Sequence, residues 1–254
     1  MKNVFYLMLL VPVIAISQTA TEYAVFENGM ITAHPAKITE FEAGMAAHNK
    51  KYHAESPYGA RVYWISNGSN VGSYMWVMGP LPWSALDNRP AQEGHDADWN
   101  TNVLPYMMPE GNQTYWKFEA ALSHFPKDFN IAKLHINMFD IKRFQRQKAL
   151  ELVKKIQRVM VEKLPEDTYG IYTNELPSTK EGRDMVFVSF FDKFSWMGED
   201  IEFPKKFNEV HGEGAFADFL KEWGEVTHGG EQELWIFRED LSGLSGAVQA
   251  ASRE

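Results

Sequence analysis

The sequence predicts an α+β fold made of two tandem βαββαβ units, and three observations carry that prediction. The stretch 58–88 is written a second time at 169–199: Tyr-Gly opens both copies (Tyr58-Gly59, Tyr169-Gly170), a polar loop divides both, and an aromatic-Ser pair follows both (Trp83-Ser84, Phe194-Ser195), at a constant offset of 111. Strand-type and helix-type periodicities then follow the same order in each half. The composition, 44% hydrophobic and 14% aromatic, is enough for a sizeable core and argues against disorder.

The chain opens with one basic residue, Lys2, an apolar run from Val4 to Ile16 and a small-x-small end, Ala15-Ile16-Ser17. That three-part layout predicts a secretory signal over 1–17, and the run is shorter than the roughly 18 apolar residues a membrane span needs. The mature chain is expected to begin at Gln18, in a periplasm or outside the cell, with no stable membrane insertion after cleavage. There is no cysteine, which excludes disulfides and thiolate chemistry. Losing Lys2 takes the formal charge from −9 to −10, so nucleic acid is not an expected partner.

In the first unit, predicted over 18–125, Tyr23 to Phe26 begins a strand that Asn28-Gly29 is expected to bend. Ala36 to Ala54 reads as a helix, with Phe41, Met45, His48 and Tyr52 recurring along one face. Arg61 to Ser66 and Ser73 to Met78 alternate as a hairpin. The segment 79–96 carries Pro80, Pro82 and Pro90 and is not expected to form one regular element. Asp98 to Met107 is a short helix, and Thr114 to Phe118 a last strand. The second unit, 126–240, repeats this order: strand Leu134 to Ile141, helix Arg143 to Leu164, hairpin strands Gly170 to Leu176 and Asp184 to Phe191, helix Ala215 to Val226, strand Glu233 to Phe237. Trp116-x-Phe118 echoes Trp235-x-Phe237. The tail, 241–254, rich in Ser, Gly and Ala, is expected to be flexible.

A βαββαβ sheet covers one face with helices and must bury the other, most simply against the second unit. Met75, Val77, Val186 and Val188 are aliphatic in both copies and are expected on the helix-covered face. Tyr74, Trp76 and Met78, with Met185, Phe187 and Ser189, are then expected to face a shared interior. This element order and the repeat resemble the dimeric α/β-barrel superfamily, ferredoxin-like units packed sheet to sheet, in single-chain tandem form. The resemblance implies a broad set of roles: cofactor-independent monooxygenases of the antibiotic-biosynthesis type, EthD-like and NIPSNAP-like proteins, and the haem-binding chlorite dismutase group.

If Ser66 lies opposite Ser73, then Arg61, Tyr63, Tyr74, Trp76, Tyr172 and Asn174 line one aromatic pocket, suited to a planar or partly apolar organic ligand. His135 and Asn137 fall opposite Leu134, Ile136 and Met138 and are expected to point into the same interior, where His135 is the candidate catalytic base or haem ligand. His48 and His53 are five apart, too poorly aligned on a helix for a metal pair, and an aspartate capping a helix start accounts for the acidic run after His95. No HExxH or comparable spacing links His211 and His228, so no metal site is predicted. No cofactor is predicted either, although the resemblance leaves haem open. G-x-S-x-G, Walker and Rossmann patterns are absent. The expected function is therefore an exported, small-molecule-binding barrel in a non-catalytic binding or scaffold role. The alternative is a small-molecule oxygenase, cofactor-independent or haem-dependent. Homo-oligomerisation stays open.

Overall fold

The computed structural model describes residues 22–250. The predicted export signal and residues 251–254 of the tail lie outside that range. The first unit runs β1 (Val25–Ala33), α1 (Ile38–Tyr52), β2 (Ala60–Asn67), β3 (Tyr74–Leu81), α2 (Trp83–Asp87), α3 (His95–Asn102) and β4 (Met107–Phe118). A two-residue strand, β5 (Phe129–Asn130), precedes the second unit: β6 (Lys133–Ile141), α4 (Arg146–Lys163), β7 (Tyr169–Asn174), β8 (Met185–Phe191), α5 (Phe203–His211), α6 (Ala215–Val226) and β9 (Thr227–Phe237). A final strand, β10 (Ala247–Val248), follows. The proline-containing segments are more regular than their composition suggests. Pro204 sits in the first turn of α5, where its missing N–H breaks no helical bond.

The strand order is β4-β1-β3-β2 in the first unit and β9-β6-β8-β7 in the second. The two sheets also join edge to edge, because β2 pairs antiparallel with β9 and β4 with β7. The result is one closed eight-stranded barrel with the helices outside. Strand β1 runs straight through Asn28-Gly29; its irregularities fall at Val25/Glu27 and Ile31/Ala33 instead.

The hairpin register differs by one residue from the expected one. Ala60 pairs with Met78 and Tyr63 with Met75, which sets Ile65 opposite Ser73. A one-residue slip exchanges the two faces of a strand, and this corrects the face assignment. Met75, Val77, Val186 and Val188 line the barrel interior. Tyr74 and Trp76 lie outside under α1: Tyr74 packs on Phe41 with ring centroids 5.2 Å apart, and Trp76 Nε1 donates to Asn49 Oδ1 at 3.0 Å.

Outside the barrel, α4, α5 and α6 share an apolar cluster that includes Leu152, Phe207 and Phe219, while α1 and α3 share one with Phe41, Met45 and Val103. Gly44 makes the second packing close. A Cβ there would lie 1.8 Å from the Asn102 carbonyl oxygen at the end of α3. The tail is ordered through residue 250, against expectation. Leu241 is buried, Ser242 Oγ accepts from Val62 N–H at 2.8 Å, and β10 pairs with β5. Gly243 crosses so near α1 that a Cβ would sit 2.0 Å from the His53 carbonyl oxygen. Backbone bonds and close packing, which small residues permit, hold this segment where apolar bulk does not.

Candidate functional site

Period-2 alternation on eight strands sends every second side chain inward, and here the inward set does not fill the space. A cavity of about 670 Å³ remains inside the barrel. Its walls are mostly apolar, with Phe26, Met138, Val188 and Phe190 among them. Two tryptophans, Trp116 and Trp235, occupy equivalent places on β4 and β9. The indole of Trp116 donates to Thr114 Oγ1 at 2.8 Å, and that of Trp235 to Glu233 Oε2 at 2.7 Å. Glu233 is fully buried, and its other oxygen accepts from Asn70 Nδ2 at 2.6 Å. Both rings are thus fixed by a residue two positions back on the same strand face.

The polar groups of the cavity include three donors and a buried acceptor without a partner. Arg61, Tyr63 and Tyr172 face it together. Burial pushes the Tyr63 hydroxyl up to about 12 and the Tyr172 hydroxyl higher still, a shift the nearby Arg61 charge only partly offsets. Both phenols are therefore protonated donors at neutral pH. Arg61 also holds the tail, with Nε donating to the Ser245 carbonyl at 2.8 Å and Nη2 to that of Ala247 at 3.1 Å. Two strands from Arg61, Asn28 Oδ1 is buried and has no hydrogen-bond partner. It shares one row of the sheet with Thr114, Val77 and Arg61. An acceptor left bare in the wall costs stability.

Of the residues expected in the pocket, Arg61, Tyr63 and Tyr172 are there. Tyr74 and Trp76 are not, for the register reason above. Asn174, the last residue of β7, is buried away from the cavity, donating to the Arg183 carbonyl at 2.8 Å and accepting from Leu176 N–H at 3.0 Å. His135 and Asn137 are corrected as well. Leu134, Ile136 and Met138 form the inner face of β6, so His135 and Asn137 are on the outer one, where His135 Nε2 lies 3.2 Å from Gln232 Oε1. In a closed barrel the inner face can be the apolar one, which the expectation did not allow for. Asn28, Thr114, Trp116, Glu233 and Trp235 were missed. The Trp-x-Phe echo marked the right strands, and continuing the alternation two residues back would have reached Thr114 and Glu233.

A second constellation lies outside the barrel, between α1 and α3. One nitrogen from each of His48, His53 and His95 lies within 4.8 Å of the others. This corrects the expectation that His48 and His53 do not meet. Helix α1 ends at Tyr52, so His53, in the capping position with φ −129° and ψ 30°, is released from helical spacing and folds back to a ring-centroid distance of 5.4 Å from His48. The cap of α3 is Gly94, not Asp98. Asp98 instead binds His48 Nδ1 at 2.8 Å. Burial lowers the pKa of both His48 and His53, the latter to about 4.

Among the described residues no imidazole lines the cavity, so a histidine-ligated haem has no axial ligand there, and three converging imidazoles do not match the two axial positions of an iron porphyrin.

No protein-family model matches the chain, and no curated protein matches it. Among solved structures, it is similar to a candidate monooxygenase from Lactobacillus acidophilus NCFM (TM-score 0.55, 12% identity, 91% of this chain and 100% of that one). It is also similar to one from Fusobacterium nucleatum subsp. nucleatum (TM-score 0.55, 11% identity, 86% and 94%). A chlorite dismutase variant from Candidatus Nitrospira defluvii aligns with a TM-score of 0.53 at 9% identity, over 87% and 95%. At such identities the likeness concerns the fold, which is that of the dimeric α/β barrels in tandem form.

Proposed function

We propose that this tandem dimeric α/β barrel binds, inside the barrel, a planar and largely apolar small molecule that carries a carbonyl, carboxylate or phenolate oxygen. The observation that carries the reading is the donor trio Arg61, Tyr63 and Tyr172 facing an apolar, tryptophan-walled cavity of about 670 Å³. The donors suit the oxygen of an aromatic ketone or phenolate. The role is one of binding, in an exported protein if 1–17 act as the signal they resemble.

The alternative, cofactor-independent oxygenation, draws support from the same donor trio, since three donors around one oxygen stabilise a phenolate, the electron-rich form that reacts with dioxygen. The monooxygenase-like fold neighbours are consistent with it.

Titration of the mature chain with 1-hydroxy-2-naphthoate and with naphthalene, followed by quenching of the cavity tryptophans, tests the binding reading. Saturable quenching by the first, about tenfold tighter than by the second and weakened by Tyr63→Phe by about 1 kcal/mol, is the expected result. Absence of saturable quenching in folded protein would overturn it. Oxygen uptake during the same titration would move the assignment to the oxygenase.

A further inference from the structure

We propose that His48, His53 and His95 form a three-imidazole site for a divalent first-row transition metal, zinc foremost, on the outer face of the first unit. The tautomers are set for it. His48 Nδ1 donates to Asp98 Oδ2 at 2.8 Å, His53 Nδ1 to the Tyr58 carbonyl at 2.8 Å, and His95 Nδ1 to Asp96 Oδ1 at 2.9 Å, this last at the surface. An oxygen acceptor at each Nδ1 keeps the proton there and leaves the lone pair on each Nε2. This is the outer-shell arrangement that orients metal-binding histidines.

The Nε2 atoms then lack any other use. That of His48, a residue 1% exposed, is buried without a hydrogen-bond partner. Those of His53 and His95 face each other at 3.3 Å, which sets two lone pairs against one another if each ring carries its proton on Nδ1. With Zn–N bonds of about 2.0–2.1 Å, the edge of a tetrahedral site is about 3.3–3.4 Å. His53 and His95 already stand at that separation, and a ring nitrogen of His48 lies within 4.8 Å of one on each of them. Three neutral nitrogen donors suit zinc, copper, nickel or iron and do not suit calcium or magnesium. The fourth position is left for water or an exogenous ligand.

The duplication supplies an internal control. Helices α1 and α4 end at equivalent residues, and α3 and α6 both start from a left-handed glycine, Gly94 (φ 80°) and Gly214 (φ 79°). At the places of His48, His53 and His95 the second unit has Val159, Leu164 and Ala215, packed into one apolar cluster. The fold therefore does not need histidines there, and apolar residues fill the space well.

The test is calorimetric titration of the full mature chain with zinc alone, with cobalt absorption as a second readout. One equivalent per chain and the intense visible bands of four-coordinate cobalt are expected. The triple variant His48→Val, His53→Leu, His95→Ala, which installs the second unit's residues, should fold with an unchanged or higher Tm and lose both signals. His95→Ala alone, on the partly exposed first turn of α3, should weaken zinc at least tenfold, and Asp98→Asn by 10- to 100-fold. No stoichiometric zinc, or binding that these substitutions leave unchanged, would overturn the assignment.

Discussion

Arg238 shows how single side chains tie the second unit's last strand to the first unit's helix. Its Nη1 donates to Glu42 Oε1 at 2.6 Å, and Tyr74 donates to the same oxygen at 2.6 Å. The hydrogen bond from Arg238, ahead of that from Tyr74, holds the Glu42 carboxyl below its ordinary value although burial opposes it. A depressed folded pKa stabilises the fold above the unfolded pKa, and the contribution is lost as pH falls through the lower folded value. Glu42→Gln should therefore cost about 1 kcal/mol at pH 7, a figure that allows for solvent screening. The gap in thermal stability should shrink as pH falls below the ordinary glutamate range. A gap independent of pH would mean that shape, not charge, makes the contact.

At the scale of elements, the position of α3 decides whether His95 reaches its partners. The α1–α3 contact depends on Gly44, because any Cβ would enter the Asn102 carbonyl, a backbone atom that cannot swing aside. Gly44→Ala should displace α3 and lower stability by about 1–3 kcal/mol, as overpacking does. In the same variant zinc affinity should fall although no histidine is altered; unchanged affinity would show that α3 is not held by this approach. Element order was legible in the sequence because periodicity and repetition are local signals. Helix α6 falls at Ala215–Val226 as read. The faces of the hairpin were not legible, since both sides of β3 carry bulky apolar residues, Tyr74, Trp76 and Met78 on one and Met75 and Val77 on the other, and only the turn between Ile65 and Ser73 sets the register. His53 was misjudged for a related reason: spacing rules assume that a helix continues, and this one stops one residue earlier.

For the whole molecule, the two seams, β2 with β9 and β4 with β7, make the units interdependent. Each unit alone would present two open strand edges and an apolar inner face, a surface prone to associate. Unfolding by denaturant should accordingly be one transition, with circular dichroism and tryptophan fluorescence coinciding. Separate midpoints would show that the seams do not couple the halves. The duplication made the architecture readable at this scale, and with it the resemblance to single-chain α/β barrels; which strands pair at the seams was not readable, because pairing between the units follows from geometry and leaves no motif. The tail carries a further consequence. Residues 244–249 form part of the cavity wall, held by Arg61 and by β10 on β5. This part of the lining is held by a short two-stranded pairing and by Arg61, while the tyrosines and tryptophans stand on the barrel strands themselves, so one pocket has walls of two kinds: a strap laid on from the end of the chain and a frame built from the strands.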